Sequence, residues 1–272
     1  MTRWRIGGVS LALLLAALAC ARAPHPREIA GYPSPQQPPE AILHISEQRW
    51  QRVEELRALG RVSYAGAQGR YSTRQTLLWR RPALLRLETV SIVGQPTMVL
   101  VADAARTSVY YPQQDVLYEG PSTAANLARF IGLPLAVADV TRVLSGQIEP
   151  ESMGSRPSWA RVQQEVDQGL SLLRFLDQDG ELLQDAWVDP GRVLPLRVIR
   201  YDNRGAIAVD VRYSDFRQAT EGFSFPFHLE ISLPLVQASL QIRYLSVDVN
   251  PGLSSSLFRL APPPGTRTVP LD

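Results

Sequence analysis

Residue types that commonly carry catalysis or bind metal ions are few in this chain and lie far apart. The three histidines, His25, His44 and His228, show none of the short spacings at which metal ligands pair along a chain. The sequence also contains neither a Gly-x-Ser-x-Gly nucleophile elbow nor a phosphate-binding glycine loop. The acidic residues are scattered at turns, and the segments Asp179-Gly180 and Asp189-Pro190-Gly191 are explained by turn chemistry. We therefore expect no enzymatic activity, no metal site and no cofactor.

The single cysteine, Cys20, has the best-defined chemistry in the chain. It directly follows an apolar run, Val9–Ala19, which the basic residues Arg3 and Arg5 precede. About eleven apolar residues are too few for a membrane-spanning helix, which needs roughly twenty, so residues 1–19 are predicted to be a cleaved signal peptide. Cys20 resembles the acylated first residue of a bacterial lipoprotein. The alternative is an ordinary secretory signal followed by an unpaired thiol, which is unusual in an exported protein.

The residues after Cys20 bear on location. Residue 21 is alanine, whereas an aspartate there would, in lipoproteins of this type, signal retention in the inner membrane. The resemblance therefore implies sorting to the outer membrane. Residues 20–39 are rich in proline and nearly free of aliphatic side chains, which predicts an extended tether that cannot bury enough apolar area to fold. We expect one folded domain, residues 40–272, that is lipid-anchored to the outer membrane and faces the periplasm.

The overall charge argues against one class of partner. The chain carries 28 basic and 26 acidic residues, for a net charge of +2, and 45% of its residues are hydrophobic. Nucleic-acid binding needs a concentrated basic face, which this balance does not favour. The composition is ordinary for a folded domain with an apolar core.

Periodicity divides the folded domain into helices and strands. Apolar residues recur at helical spacing across Glu40–Leu59, which predicts a first helix that ends before Gly60. Two further helices are predicted in mid-chain, at Thr123–Ile131 and Ala136–Leu144. A Pro-rich tail, Ala261–Asp272, is predicted to lack regular structure. Strands joined by short turns are predicted on both sides of the helical pair, at Arg61–Ala65, Arg70–Arg80, Ala83–Val90, Thr97–Ala102, Thr107–Tyr111, Val116–Glu119, Ala160–Val166, Ser171–Leu176, Leu182–Val188, Leu194–Tyr201, Ala206–Tyr213, Phe223–Leu233 and Val236–Val247.

This order of elements predicts a mainly β protein with a few helices (α+β). The arrangement that accommodates it is a half-open, strongly curved antiparallel β-barrel of roughly eleven to thirteen strands, with the helices as a lid or plug on its open side. Such a barrel encloses an apolar cavity when its side chains leave room.

Several segments, taken together and in order, resemble the LolB/LolA family of lipoprotein-localisation proteins. Those segments are Val53–Tyr64, Leu77–Leu87, Ser91–Gly94, Ala128–Leu135 and Val140–Gly146. The resemblance implies a half-open barrel that holds acyl chains, an outer-membrane receptor of the LolB type, and a LolA-like periplasmic carrier as a partner.

The loop Ser91–Pro96 is the segment whose role the resemblance defines most closely. In LolB-like proteins the corresponding sequence is typically Asn-Pro-Leu-Gly, and its leucine sits on a protruding loop implicated in delivering lipoproteins to the membrane. Here Ile92 and Val93 stand in this loop, with Val93 at the leucine position. The resemblance implies that these two side chains form a membrane-insertion loop. The alternative is that both pack into the rim of the barrel.

Further apolar residues are candidates for the wall of the cavity. Leu85 and Leu87 alternate with charged residues along one strand and are either cavity wall or filled core. Three residues of the second helix are likewise either packed core or lid contacts with a ligand: Leu127, Phe130 and Ile131. Three arginines form either a solvated face or a contact with phospholipid head groups: Arg74, Arg80 and Arg81.

Two functional hypotheses follow. The first is a lipid-anchored outer-membrane protein that binds the acyl chains of lipoproteins or phospholipids and helps insert them into the membrane. Burial of acyl chains supplies about 0.8 kcal/mol per methylene, so this function needs no catalytic group. The second is a structural or assembly lipoprotein that uses the same fold, with its cavity filled, as a platform for protein partners.

Overall fold

A computed structural model describes residues 37–67, 69–91, 93–150, 152–153, 156–157 and 159–272. The predicted signal peptide, Cys20 and nearly all of the predicted tether lie outside these ranges, as does Ile92. Within them the chain forms sixteen β-strands, three α-helices and two short 3₁₀ helices. The protein is therefore mainly β with a few helices, as the sequence predicts.

The first half of the chain begins with a helix that is shorter than predicted. It ends at Gln51, whereas the periodicity predicts Leu59. The segment from Glu55 is extended instead, because its backbone pairs with a strand on each side: Leu56 lies opposite both Trp79 and Val249. The elements of this half are α1 (Pro39–Gln51), β1 (Glu55–Gly66), β2 (Gly69–Arg80), β3 (Leu84–Val90), β4 (Pro96–Ala102), β5 (Arg106–Tyr111) and β6 (Val116–Pro121).

Two helices follow, close to the predicted positions: α2 (Ala124–Ile131) and α3 (Val137–Ser145). The Thr123 side chain caps α2 by accepting a 3.1 Å hydrogen bond from the Asn126 backbone N–H. Gly132 and Gly146 end the two helices in the left-handed conformation, at φ values of 74° and 76°, which glycine adopts at little cost.

The second half returns to strands. Its elements are β7 (Ser152–Met153), β8 (Arg156–Pro157), β9 (Arg161–Asp167), β10 (Leu170–Leu176), β11 (Leu182–Asp189), β12 (Leu194–Tyr201), β13 (Ile207–Thr220), β14 (Phe223–Leu233), a 3₁₀ helix (Pro234–Val236), β15 (Ala238–Val249), a second 3₁₀ helix (Ser255–Phe258) and β16 (Arg267–Pro270). Strands β7 and β8 pair only with each other.

The other fourteen strands form one strongly curved sheet. Their order is β16-β6-β5-β4-β3-β2-β1-β15-β14-β13-β12-β11-β10-β9, so the two edges, β16 and β9, do not meet and the sheet is not closed. Every neighbouring pair is antiparallel except β16 and β6, which are parallel. The prediction of eleven to thirteen strands, all antiparallel, was therefore wrong at the C-terminus. The Pro-rich tail contributes β16, whose partner is remote in sequence and whose prolines concealed it.

The main core lies on the sheet face that the helices cover. Buried residues of α1, α2 and α3 belong to one cluster with inward-facing strand residues such as Leu77 and Trp79. Leu78, between them, faces the other way and packs with Leu253 and Phe258 in a small separate cluster. The alternation along β2 thus separates a helix-covered face from an outer face.

Two tyrosines fix α3 against the sheet. The Tyr213 hydroxyl on β13 donates a 3.0 Å hydrogen bond to the Val143 carbonyl oxygen. The Tyr244 hydroxyl on β15 donates an equivalent 3.0 Å bond to the Leu144 carbonyl oxygen. Both carbonyls lie in the last turn of α3, where helix carbonyls lose their usual i+4 donors, and Val143 has only a long 3.4 Å bond from the Gly146 backbone N–H. Burial raises the pKa of both phenols far above the ordinary value, so they remain donors.

Candidate binding pockets and hairpin tips

A pocket with a volume of about 70 Å³ lies between the covered face of the sheet and helix α2. We call it the apolar pocket, because aliphatic and aromatic side chains form most of its wall. It is lined by Gly60, Val62, Tyr64, Tyr71, Gln75, Leu77, Leu87, Phe130, Ile131, Leu133, Leu144, Leu240, Ile242 and Tyr244. The residues come from β1, β2, β3 and β15, from α2 and the segment after it, and from α3. The pocket therefore joins the central strands of the sheet to the helical segment.

The structure divides the predicted cavity residues into two groups. Leu87, Phe130 and Ile131 line the apolar pocket. Leu85 and Leu127 are fully buried in the main cluster and do not line it. The sequence analysis did not single out Tyr64, Tyr71 or Gln75 as wall residues. A signal was present on β2, where odd-numbered residues from Tyr71 to Trp79 share one face, but their mixed polarity hid it.

Helix α2 is anchored at its start and carries pocket residues at its end. The Asn126 side-chain amide donates hydrogen bonds to the Pro121 carbonyl oxygen, at 2.9 Å, and to the Asp272 carbonyl oxygen, at 3.0 Å. At the other end, the Phe130 ring packs against Tyr118 with centroids 5.6 Å apart. Phe130 and Ile131 themselves are only half-buried. The polar attachments hold the first turn of α2, whereas the turn over the pocket is held by apolar contacts.

Two tyrosines line both the apolar pocket and a neighbouring groove. Tyr64 and Tyr71 lie opposite each other on β1 and β2, with their rings stacked at 5.0 Å. Both also line a shallow groove of about 420 Å³ with Ser63, Ala65, Arg70, Ser72, Ser239 and Gln241. Tyr71 is 50% exposed. The same pair therefore forms part of the wall of both spaces.

The loop between β3 and β4 is a tight turn that presents Val93 to solvent. The Ser91 backbone N–H donates to the Gln95 carbonyl oxygen at 2.8 Å, and the Gly94 N–H donates to the Ser91 carbonyl oxygen at 3.0 Å. Gly94 has a φ of 82°, which favours glycine. Val93 is 80% exposed and therefore does not pack into the rim of the sheet. Its neighbour Ile92 lies outside the described residues.

A second apolar tip lies at the same end of the sheet. Leu235 and Val236, in the 3₁₀ helix between β14 and β15, are 57% and 54% exposed. Ala65 pairs with Ser239 on β15 and with Arg70 on β2, which places this connection beside the β1–β2 turn. The pairing of β2 with β3 places the Val93 turn at that end too. The sequence analysis treated this connection as the junction of two strands, because Val236 continues a strand-like apolar run.

A second, more polar pocket of about 360 Å³ lies at the other end of β2. We call it the polar pocket. It is lined by Glu47, Trp50, Trp79, Arg81, Pro82, Ala138, Thr141, Arg142, Gln147, Glu149, Pro150 and Trp159. Burial, reinforced by the nearby Glu47 carboxylate and opposed by Arg142, raises the pKa of Glu149 to about 7. Its carboxyl group therefore titrates near neutral pH.

The three arginines that the sequence analysis considered together occupy different environments. Arg74 is exposed. Arg80 is part-buried, forms an ion pair with Glu55 at 2.7 Å and lies over the Phe258 ring. Arg81 donates to the Trp50 carbonyl oxygen and lines the polar pocket. They do not form one solvated face: Arg74 and Arg80 share the outer face of β2, but Arg80 is paired with Glu55, and Arg81 lies beyond the end of the strand.

In the part of the chain that the structure describes, no three His, Cys, Asp or Glu residues cluster at metal-binding distances. His44 is exposed and shares a 2.9 Å hydrogen bond with Gln48. None of the helices within the described ranges is both long enough and apolar enough to span a bilayer.

Comparison with known proteins identifies the fold. A scan against protein-family models gave no match, and a search of curated proteins gave none. Among solved structures, a domain described as an outer membrane lipoprotein-sorting protein from Vibrio parahaemolyticus is 16% identical over 81% of this chain and 97% of its own, with a TM-score of 0.56. A DUF1329 family protein from Desulfovibrio piger is 14% identical over 82% and 98%, with a TM-score of 0.58.

A third solved structure has a similar fold. A LolA superfamily protein from Nitrosomonas europaea is 13% identical over 81% of this chain and 97% of its own, with a TM-score of 0.57. At these identities the likeness concerns the fold and leaves cargo and mechanism open. By its fold, this chain resembles the LolA superfamily and the lipoprotein-sorting domain, as the sequence resemblance implies.

Proposed function

We propose that this protein binds the acyl chains of lipoproteins or other lipids in the apolar pocket and helps transfer them into the outer membrane. The observation that carries the proposal is the apolar pocket itself, which lies beneath α2 and shares Tyr64 and Tyr71 with an open groove. Each buried methylene contributes about 0.8 kcal/mol, so apolar walls alone supply affinity. Binding and release, without a chemical step, are sufficient for this activity.

The pocket must expand to hold an acyl chain. Its volume of about 70 Å³ is well below the roughly 300–1,000 Å³ of pockets that enclose organic ligands. We expect α2 to act as a lid that moves outward at the Phe130–Ile131 end and pivots near its polar attachments at Asn126. Phe130 and Ile131 would then exchange contacts with the sheet for contacts with the ligand.

Delivery would use the exposed turn between β3 and β4. Val93 is apolar, 80% exposed and held on a tight turn, as a side chain that enters the acyl region of a bilayer requires. Ile92 would enter beside it. An acylated Cys20 would anchor the protein to the outer membrane, with its domain in the periplasm, and a LolA-like carrier is the expected donor of cargo. The Vibrio parahaemolyticus structure, described as a lipoprotein-sorting domain, supports this assignment through its fold.

The proposal is tested by lipid binding. The protein without residues 1–20 is extracted for mass spectrometry of bound lipid and titrated with a fluorescent fatty acid. We expect co-purified acyl species that the probe displaces. Val62→Phe adds volume to the pocket wall and should weaken binding of the fluorescent fatty acid. Val166→Phe, at an exposed site on β9 outside the pocket, should leave that binding unchanged. A protein that purifies without lipid and does not bind the fluorescent fatty acid would contradict the proposal.

A second function is favoured by the small volume of the apolar pocket and the exposed Leu235–Val236 tip. Both features suit an assembly lipoprotein whose core is filled and whose exposed tips contact a protein partner. Val93→Glu separates the two functions, because a charge resists entry into the acyl region of a bilayer. Under the first function this substitution stops cargo insertion. Under the second it is silent or alters only the binding of a protein partner.

A further inference from the structure

The polar pocket adjoins the apolar pocket on two shared elements. On β2, Leu77 lines the apolar pocket, and Trp79, two residues along the same face and about 7 Å away, lines the polar pocket. On α3, Leu144 lines the apolar pocket, and Thr141, one helical turn earlier, lines the polar pocket. The two pockets are therefore neighbours along both elements, in the order that the chain and the head of one amphiphile would require.

Three tryptophans give the polar pocket aromatic walls. Trp50, Trp79 and Trp159 all line it, and the Trp50 and Trp79 rings lie 6.3 Å apart. Tryptophan faces attract ammonium groups, including those of choline-like ligands. The Trp79 side chain is 2% exposed, and its indole N–H has no hydrogen-bond partner in the described part of the chain. A buried unpaired donor of this kind calls for an acceptor oxygen, which a ligand can supply.

The polar pocket contains both acidic and basic side chains. Glu47 and Glu149 contribute carboxylates, and Arg81 and Arg142 contribute guanidinium groups. The raised pKa of Glu149 shows that its ionised form lacks sufficient compensation from the protein, since burial and Glu47 together outweigh Arg142. An ammonium group beside Glu149 would supply that compensation. Arginine is well suited to an oxyanion such as a phosphate.

We propose that the polar pocket binds a zwitterionic group, an ammonium joined to a phosphate oxyanion, as the head of an amphiphile whose acyl chain occupies the apolar pocket. This inference rests on the proposed lipid-binding function and narrows its ligand to an aminophospholipid. The ammonium lies against the tryptophan faces and Glu149, and the phosphate accepts from the Trp79 indole N–H and the arginines.

Competition measurements on the purified full chain test the proposal. At pH 8, where Glu149 is ionised, a fluorescent fatty acid is displaced by lysophosphatidylethanolamine or by lysophosphatidylglycerol of the same chain length. We expect the ethanolamine lipid to bind about tenfold more tightly, the value of one charge-assisted contact. Glu149→Gln should abolish this preference, because it removes the carboxylate that contacts the ammonium group. Trp79→Phe keeps an aromatic ring but removes the indole N–H donor, and it should lower the affinity for both lysophospholipids several-fold.

Two controls separate the possible failures. Glu221→Gln, at an exposed turn outside the pocket, should preserve the preference for ethanolamine. Soluble glycerophosphoethanolamine should bind far more weakly than the lysolipid, and equal binding would overturn the arrangement of head and tail. Equal affinities for the two lysolipids, or a preference that survives Glu149→Gln, would overturn the polar-pocket assignment while fatty-acid binding still supports the proposed function. Absence of any fatty-acid binding would overturn both.

Discussion

Strands β14 and β2 have the same alternation of inward and outward side chains, but the inward side of β14 forms a packed core whereas that of β2 lines two pockets. The inward residues of β14 are large and apolar, and all are buried: Phe223, Phe225, Phe227, Leu229 and Ile231. Those of β2 change along the strand from exposed Tyr71 through half-buried Thr73 and Gln75 to buried Leu77 and Trp79. The β14 row fills its side of the sheet, whereas the β2 row leaves the two pockets. The identity of the inward residues and the helices over them decide whether a curved sheet forms a packed core or a binding site.

The largest effect should come from removing a ring from the β14 row. Phe225 is fully buried and packs against Phe223, Phe227 and Tyr244. We expect Phe225→Ala to lower the free energy of unfolding by about 3–5 kcal/mol, because it leaves a cavity that close-packed neighbours cannot fill. Chemical denaturation measures this value. Tyr71→Ala on β2 is the matched variant and should cost less than about 1 kcal/mol. Equal losses would contradict the contrast between the two strands.

The polar pocket at the end of β2 should make stability depend on pH. Burial raises the pKa of Glu149 from its ordinary value near 4.5 to about 7 in the folded protein. Between these values the folded state binds more protons than the unfolded state, so this group's contribution to the free energy of unfolding falls as pH rises from about 4.5 to 7. The expected loss is on the order of 2 kcal/mol.

Glu149→Gln isolates this contribution. The variant should show a flatter stability profile than the parent between pH 4.5 and 7, measured by denaturation in matched buffers. The control Glu221→Gln should reproduce the parent profile. A parent and a Glu149→Gln variant with parallel profiles would show that the carboxyl group is not buried as described.

A smaller effect is expected from the cap of α2. The Thr123 hydroxyl accepts from the Asn126 backbone N–H, and Thr123→Ala should cost about 1 kcal/mol. Loss of the cap should loosen the first turn of α2, so the amide hydrogens of this helix should exchange faster in Thr123→Ala than in the parent. Because α2 covers the apolar pocket, the fatty-acid probe should also enter the variant faster. Thr123→Ser keeps the hydroxyl and should retain the parent rates. Faster exchange without faster entry would argue against α2 as the lid.

The smallest effect on stability should come from Val93. Its side chain is 80% exposed, so Val93→Glu should change the free energy of unfolding by less than about 0.5 kcal/mol. Insertion of cargo into lipid vesicles should nevertheless be strongly reduced. Val93→Leu, which restores the residue typical of LolB-like proteins at this position, should retain or increase insertion. Transfer by Val93→Glu at the parent rate would contradict the role of this turn.

The sequence predicts local features of this fold better than distant ones. Strand β3 and helices α2 and α3 lie within one residue of their predicted limits, because periodicity and glycine ends define them locally. The boundary between α1 and β1 was misplaced, since apolar residues such as Val53 and Leu56 fit a helical face until pairing with remote β15 is known. Strand β16 depends in the same way on a distant partner, β6.

The binding pockets were only partly predictable for a related reason. Leu87, Phe130 and Ile131 were identified from apolar patterning, which does not distinguish a wall from a core and therefore also selected Leu85 and Leu127. The polar pocket combines α1, α3, the end of β2 and the segment around Glu149, which only the folded chain brings together. Because its lining residues are far apart in the sequence, no pattern of spacing predicts such a site.

The most direct test of the account is to locate a bound acyl chain. The protein is irradiated with a fatty acid that carries a photoreactive group near the end of its chain, and the labelled peptides are mapped by mass spectrometry. We expect adducts on β1, β2, β3 and α2, around Tyr64, Leu87 and Phe130, and their loss in Val62→Phe but not in Val166→Phe. Adducts that avoid these elements, or that persist equally in Val62→Phe, would contradict acyl-chain binding in the apolar pocket.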